Sequence, residues 1–439
     1  MTSAREVAAR VIERVEKERA FASAALQAEL SRAVQLDARD RALATELVYG
    51  SLRVMPWLDE QLARFAPQGT RKLDRRVRAH LITAAYQLAF MRVPAFAAVS
   101  EAVDSVRHAR GDRLAAFANA VLRKFAKHAS ELGRVDREQA VLASTPAWLR
   151  DALDRVLSPA GAQAFLRSGI EPPAVALRVE VASERDTWLA RLCQATPDGR
   201  FELGRVSPLA ILARGAGKPQ QLVGYQEGAW SVQEEGSQLA ALAVGARTGE
   251  VVLDACAGRG NKAAVLARQV GVSGAVDVCD AIPSKLDHLR AEFARCRLSA
   301  RASFAIDWRV GSGELMQEYD RVLVDAPCSG TGTLRRRPEI ALRREGTDLA
   351  AMAALQIAIA SRAAAHVRRG GALFYVVCSL LREEAEDVVD EVVRRCPGFS
   401  PSPFDSPVAR AIAGDAPSFR LLPHVHGTDG YFVAKLARH

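Results

Sequence analysis

No run of about 18 consecutive apolar residues occurs in this 439-residue chain, so no membrane-spanning helix is expected. The opening segment MTSAREVAARVIERVEKERAF carries charges at helical spacing and lacks the apolar centre of a secretion signal. The seven cysteines (193, 256, 279, 296, 328, 378 and 396) are odd in number and lack the paired spacing of a zinc site. Neither a disulfide framework nor a bound metal is expected, and free thiols in a reducing compartment fit better. A soluble cytoplasmic protein is the resulting expectation. Also missing are a Walker A sequence and the G-x-G-x-x-G dinucleotide pattern.

What is present is unevenly distributed. Residues 1–150 hold 25 Lys and Arg against 17 Asp and Glu, whereas residues 151–439 hold 35 against 34. The basic excess therefore belongs to the N-terminal third. Its densest run, RKLDRRVR, contains Arg71, Lys72, Arg75 and Arg76. Such a run is either a solvated helix face or a surface for nucleic-acid phosphates.

From residue 1 to about 145 the apolar residues recur at three-four spacing, which predicts an all-α helical bundle, with Pro94 starting a helix. Residues 146–230 read as a small α/β connecting domain, with a helix at 160–168, a strand in AVALRVEV and a helix near 185–194. From 231 to 439 strands and helices alternate. EVVLDACA, GAVDVCD, ASFAID, YDRVLVDAP, GALFYVVCS and DGYFVAKLAR read as strands, and DLAAMAALQIAIASRAAAHVRRG as a long helix stopped by glycine. Repeated βα units predict a parallel sheet with helices on both faces and a ligand outside the carboxyl ends of the strands.

Those ends carry the chemistry. The first strand runs into DACAGRGNKAA, where Gly258 and Gly260 allow a ligand to approach the backbone and helix N–H groups. Asp280, Asp307 and Asp325 close the next three strands. Each alone is more often a cap or turn residue. Three in succession beside a glycine turn favour an adenosine-type ligand, one acid holding a ribose diol and another an adenine amino group. Without either phosphate-binding pattern, S-adenosylmethionine is the leading candidate. Two strands, moreover, end in the same dipeptide: Cys328-Ser329 in RVLVDAPCSGTGTL and Cys378-Ser379 in LFYVVCSLLREEAEDV. A buried cysteine is usually a small core hydrophobe. That is the reading of Cys193, Cys279, Cys296 and Cys396, but not of two at a ligand edge.

DACAGRGNK, DAPCSGTGTLRRRPEI, VVCSLLREEAE and LPHVHGTDGYF resemble the motifs of RNA 5-methylcytosine methyltransferases. The likeness extends over nearly the whole chain. YGSLR, AFAAVSEAVDSVR and FANAVLRKF are similar to the NusB-like RNA-binding domain that precedes the catalytic domain in the bacterial small-subunit ribosomal RNA branch, and VQEEGSQLAA to the entry of that catalytic domain. The resemblance implies a Rossmann-like, S-adenosylmethionine-dependent methyltransferase domain acting on ribosomal RNA, and a monomer is the expectation. It places Cys256, Ala257, Gly258, Arg259, Gly260, Asn261, Lys262, Asp280, Asp307 and Asp325 at the cofactor, with Lys262 bridging towards the substrate. One departure stands out. Gly258-Arg259-Gly260-Asn261 precedes the lysine where the family has Ala-Pro-Gly-Gly. Asparagine tolerates left-handed backbone angles better than most residues, so the turn can survive, while Arg259 in place of proline changes stiffness and charge near a cationic sulfonium.

Cytosine C5 is a poor nucleophile until a thiolate adds to C6 and makes it enamine-like. The C5 proton must later leave and the C6–S bond break, so two cysteines can divide the labour. Spacing alone does not assign them. A Pro-Cys pair like Pro327-Cys328 supplies the nucleophile in DNA cytosine methyltransferases, whereas the resemblance to the RNA family implies Cys378 as nucleophile and Cys328 for product release. Asp325 would hold the N3/N4 edge of the base. Arg335, Arg336 and Arg337 suit RNA phosphates and stacking, or else a surface ion-pair cluster. A transfer-RNA methyltransferase and a catalytically weak RNA-binding or assembly protein are the alternatives.

Overall fold

The computed structural model describes residues 2–66, 69–133, 135–313, 315 and 318–439. The chain divides into two compact units, Met1–Glu171 with Leu334–Arg344, and Pro172–Thr333 with Glu345–His439.

The first unit is helical. Val7, Ala8, Val11, Ile12 and Val15 line one face of helix Ala4–Lys17 and are buried with Leu47 and Val48 of Ala38–Arg53 and Leu81 and Ala85 of Arg75–Phe90. Side-chain caps fix the starts. Ser3 accepts from the Glu6 amide, and Asp74 from the amides of Arg76 and Val77. Gly50 is required by packing, because a Cβ there would lie 2.1 Å from the Tyr86 hydroxyl. Pro94 precedes helix Ala95–Arg110, as expected. Helix Ala147–Arg167 also belongs here and kinks at Ser158 (φ +64°), just before Pro159 removes an amide donor. The helix expected at 160–168 is its second arm.

Leu334–Arg344 belongs to this helical unit. Glu339 is buried and accepts the Ala22 amide at 3.0 Å, Arg53 donates to the Arg335 carbonyl at 3.0 Å, and Arg343 donates to the carbonyls of Val15 and Ala20.

The second unit holds two sheets. Strands β1 (Val175–Val179), β2 (Arg200–Leu203), β3 (Ala210–Arg214) and β4 (Trp230–Val232) pair antiparallel in the order β2-β3-β1-β4, over a core with Trp188, Leu192 and Trp230. The larger sheet contains β5 (Val251–Asp254), β6 (Ala275–Asp280), β7 (Ala302–Ala305), β8 (Tyr319–Asp325), β9 (Val367–Val377), β10 (Phe399–Pro401), β11 (Ser418–Leu421) and β12 (Tyr431–Arg438). Its order is β10-β12-β9-β8-β5-β6-β7, with β11 paired to β12. Apolar clusters cover both faces, one with Leu266, Leu323 and Phe374, the other with Val322, Tyr375 and Ile359.

Three expectations change. The sheet is mixed, because β10, β11 and β12 run antiparallel to their neighbours. The long helix ends at Ala364 and β9 already begins at Val367, so the residues before Gly370 are strand. Cys193 is exposed on the outer face of its helix, whereas Cys279 and Cys296 are buried as expected.

Candidate active site

The sheet order reverses between β5 and β8, so the crevice at their carboxyl ends is where a ligand fits a Rossmann-like sheet. Parallel register brings Asp254 at the end of β5 beside Leu323 of β8, and Asp325 at the end of β8 beside Val376 of β9.

The β5 loop is shaped by two glycines. Gly258 (φ +57°) and Gly260 (φ +87°) both sit in the left-handed region, and helix Asn261–Val270 starts directly after them. A Cβ on Gly260 would lie 2.6 Å from Leu289, while one on Gly258 would meet nothing within 4 Å. The left-handed positions thus fall on glycines. Asn261 is an ordinary first helical residue, so its tolerance of left-handed angles is not called on, and Arg259 is exposed. Asp280 ties this loop to the next, accepting from the Gly258 amide at 3.0 Å, the Ile282 amide at 2.8 Å and Lys285 Nζ at 3.4 Å. Asp307 lies two residues beyond the end of β7 and is chelated by Arg309, whose hydrogen bonds hold its carboxyl down at about 2.

Asp254 was not anticipated from sequence as a site residue. It is buried, its Oδ1 accepts the Cys256 amide at 3.3 Å, and its Oδ2 has no hydrogen-bond partner among the described residues. Burial, and then the charge of Asp325, push its carboxyl up to about 7. Nearby, Lys262 Nζ donates to Asp325 Oδ2 at 2.6 Å and lies 5.6 Å from the centre of the Tyr431 ring. Burial disfavours the Lys262 ammonium, but Asp325 outweighs it and the net shift is upward. Burial and the loop's acids push the Cys256 thiol well up.

The two Cys-Ser pairs meet. Cys328 Sγ and Cys378 Sγ are 3.3 Å apart and neither forms a disulfide. The hydrogen bond shared with Cys378, followed by burial, raises the Cys328 thiol well above its ordinary value. On the other side of the dipeptides, Ser329 Oγ and Ser379 Oγ are 3.4 Å apart, and Thr331 Oγ1 is 3.0 Å from Ser379 Oγ. The Gly332 amide donates to the Cys378 carbonyl at 3.0 Å, and the Gly430 amide to the Gly332 carbonyl at 2.8 Å. Gly332 has no alternative, because a Cβ there would lie 2.2 Å from the Gly430 carbonyl oxygen.

Supports from further away complete the frame. Glu234 accepts the Asp429 amide at 2.8 Å and the Ser237 amide at 3.0 Å, joining the VQEEGSQ and TDGYF segments. Arg178, buried in β1, donates to Gln233 Oε1 at 2.8 Å and to the Asn261 carbonyl at 2.7 Å. No local signal in the sequence marks Arg178; its role follows from the sheet in which it sits.

Of the basic residues expected to meet RNA, Arg71, Lys72 and Arg75 are exposed on the helical unit. Arg76 is not, since it pairs with Glu6 and with Glu13 at 2.9 Å inside the bundle. Arg335 and Arg336 are half-buried, and Arg337 is exposed with its guanidinium 5.5 Å from the Phe21 ring centre. These seven residues fall on the helical unit, whereas the cysteines and acids lie on the larger sheet. Among the described residues no cluster suited to a metal ion occurs and no helix is long and apolar enough to cross a membrane.

Comparison with known proteins follows this division. Residues 241–437 match the 16S rRNA methyltransferase RsmB/F family and residues 2–127 the NusB family. The ribosomal RNA small subunit methyltransferase B of Pseudomonas putida is 31% identical over 452 residues, covering 99% of this chain and 98% of its own. The crystal structure of PH0851 covers 99% of both chains with a TM-score of 0.84 at 21% identity. NSun6 from Pyrococcus horikoshii, crystallised with SFG, covers 67% of this chain and 98% of its own with a TM-score of 0.58 at 19% identity. The solved structures establish the fold, and the full-length sequence match establishes more: this chain is a methyltransferase of the 16S rRNA methyltransferase RsmB/F family, with a NusB-like helical region ahead of a Rossmann-like catalytic domain.

Proposed function

We propose that the enzyme methylates C5 of a cytosine in 16S ribosomal RNA, using S-adenosylmethionine and a covalent bond between Cys378 Sγ and cytosine C6. The observation that carries this reading is the pair of thiols 3.3 Å apart at neighbouring strand ends, in the same crevice as the Lys262–Asp325 pair at 2.6 Å. A methyl transfer to an oxygen or nitrogen needs no second thiol.

The crevice suits the cofactor. The loop at Gly258 is open where a side chain would stand, helix N–H groups begin at Asn261, and Asp254 Oδ2 is a buried polar atom without a partner among the described residues. Gly258, Gly260 and Lys262 would hold the ligand with Asp280, whose two oxygens already organise the loop, and Asp307 would reach its outer edge. When bound, S-adenosylmethionine supplies the methyl group. Arg259 is exposed, so solvent screens its positive charge from that ligand.

Cys378 attacks as a thiolate. Its sulfur bonds to C6 while Lys262, paired with Asp325 at 2.6 Å, lends a proton to N3 and takes it back on elimination. Cys328 keeps its thiol proton in the resting pair. Once Cys378 is a thioether, the neighbouring sulfur no longer raises the Cys328 thiol, which is then more easily deprotonated. Cys328 can take the C5 proton as the C6–S electron pair returns to Cys378. The 5,6 double bond re-forms and one proton is released overall. Arg71, Lys72 and Arg75, with Arg335–Arg337, offer charge for RNA phosphates. We read residues 1–145 as the RNA-binding part, 146–230 as the connecting part and 231–439 as the catalytic part of a monomeric cytoplasmic enzyme.

The test uses labelled S-adenosylmethionine, unmodified 16S rRNA and transfer RNA, with nucleoside analysis of the products. Label in 5-methylcytidine from 16S rRNA supports the reading. Label in another nucleoside refutes the chemistry, and label from transfer RNA alone refutes the substrate.

A further inference from the structure

The paired serines lead to a group the reaction itself does not use. Glu384 is fully buried in the short turn Arg382–Glu384 that follows Cys378. Its Oε1 accepts the Ser329 amide at 2.7 Å and Gln356 Nε2 at 3.0 Å, and its Oε2 accepts from the Ser329 hydroxyl. Gln356 Nε2 uses its second hydrogen on the Pro327 carbonyl at 2.9 Å. Tyr375 OH closes the network, lying 2.7 Å from the Glu384 carbonyl and 3.1 Å from Gln356 Oε1, with its single hydrogen shared between these two acceptors. Cys328 is therefore held through the residue before it and the residue after it. Ser329 also reaches Ser379, the residue after Cys378.

We infer that Glu384 and Ser329 are positioning residues that clamp the Cys328 loop to the Cys378 loop and so set the sulfur–sulfur distance. Neither side chain touches a reacting atom. Cys328 sits on an irregular loop with Gly330 at φ +79°, and a loop of this kind does not hold a thiol to a few tenths of an ångström unaided. Hydrogen bonds to a buried carboxyl are among the stronger means of fixing it. The cysteines thus occupy one side of the paired dipeptides and the clamp the other, which accounts for the repeated Cys-Ser.

The inference rests on the proposed roles of the cysteines only where it concerns product release, and its test separates the two. Full-length Glu384→Gln and Ser329→Ala variants are compared with wild type and Cys328→Ala. Amide exchange is measured in peptides spanning 325–333, kcat and KM are measured on rRNA, and covalent RNA adducts are read on a denaturing gel. The clamp predicts exchange in that loop at least about tenfold faster in Glu384→Gln, with an unchanged melting temperature. It also predicts kcat lower by about 10- to 100-fold with KM for RNA and S-adenosylmethionine within about twofold of wild type. Ser329→Ala should follow in the same direction. Wild-type loop exchange and kcat in Glu384→Gln would overturn the clamp, as would a loss confined to KM. Adducts in Glu384→Gln matching those of Cys328→Ala support its effect on product release. Failure of Cys328→Ala to form any adduct overturns the cysteine assignment instead, while exchange and the kcat–KM split still decide the clamp.

Discussion

Cys328 Sγ and Cys378 Sγ lie 3.3 Å apart although 50 residues separate them in sequence. The distance is well beyond the roughly 2.05 Å of a disulfide, and the contact is that of two facing thiols. It arises because β8 and β9 are parallel neighbours whose carboxyl ends coincide and whose following loops are cross-linked at Gly332 and Ser329.

Gly332→Ala tests that cross-link. The added Cβ would lie 2.2 Å from the Gly430 carbonyl oxygen, so two backbone segments must separate. Overpacking of this kind costs about 1–3 kcal/mol. Denaturant unfolding should show that loss, and methyl transfer should fall at least about tenfold because the Gly332–Cys378 hydrogen bond is disturbed. Wild-type stability and rate would mean that the loops tolerate separation.

Lys262→Met removes the cation between Asp325 and the Tyr431 ring. Breaking a buried pair by deleting one partner costs about 3–5 kcal/mol at the extreme, and Asp325, being about a third exposed at 31%, should keep the loss below that. Methyl transfer should fall by about 100-fold or more, since the carboxyl proposed to hold the base loses its orienting partner. Activity close to wild type would remove Lys262 from the site.

Asp254 predicts an unusual pH dependence. Its folded value of about 7 lies above the ordinary carboxyl range, so the native state holds a proton that the unfolded chain releases. That contribution to stability is complete below about pH 4 and is lost as pH rises through about 7. Asp254→Asn mimics the protonated form. It should come within about 0.5 kcal/mol of wild type at pH 4 and exceed it at pH 8 by up to about 4 kcal/mol in urea unfolding. Equal stability at both pH values would show that burial does not hold the proton.

The sequence made the catalytic edge legible where the signal is local: a glycine turn after a strand, acids at strand ends, and two Cys-Ser pairs in specific motifs. It concealed what depends on distant partners. Nothing local in LLREEAEDV marks Glu384 for burial, yet it is buried because its acceptors face Ser329, 55 residues earlier. Leu334–Arg344 reads as a continuation of the catalytic loop, but its carbonyls and Glu339 are met by residues more than 280 positions away. The antiparallel additions were hidden because β10 and β11 are only 3 and 4 residues long, too short for a two-residue period to register. The premature end of the long helix has a similar origin: alanines suit a helix anywhere, and only the sheet decides where β9 begins.

Charge on the helical unit should govern RNA affinity. Replacing Arg71, Lys72 and Arg75 with alanine should weaken rRNA binding and lower the slope of log K against log salt by up to about 0.7–0.9 for each phosphate no longer neutralised. The Arg76→Ala variant, whose parent side chain is engaged with Glu6 and Glu13, should leave that slope unchanged and lower stability. The opposite pattern would place the RNA elsewhere.

The division of labour between the two sulfurs is decided by the fate of the covalent bond. Wild type, Cys328→Ala and Cys378→Ala are incubated with unmodified 16S rRNA and S-adenosylmethionine and resolved on a denaturing gel. A shifted protein–RNA band is expected to accumulate with Cys328→Ala, and neither band nor methylation is expected with Cys378→Ala. Accumulation with Cys378→Ala instead would reverse the roles, and full methylation by either variant would rule out the two-cysteine mechanism.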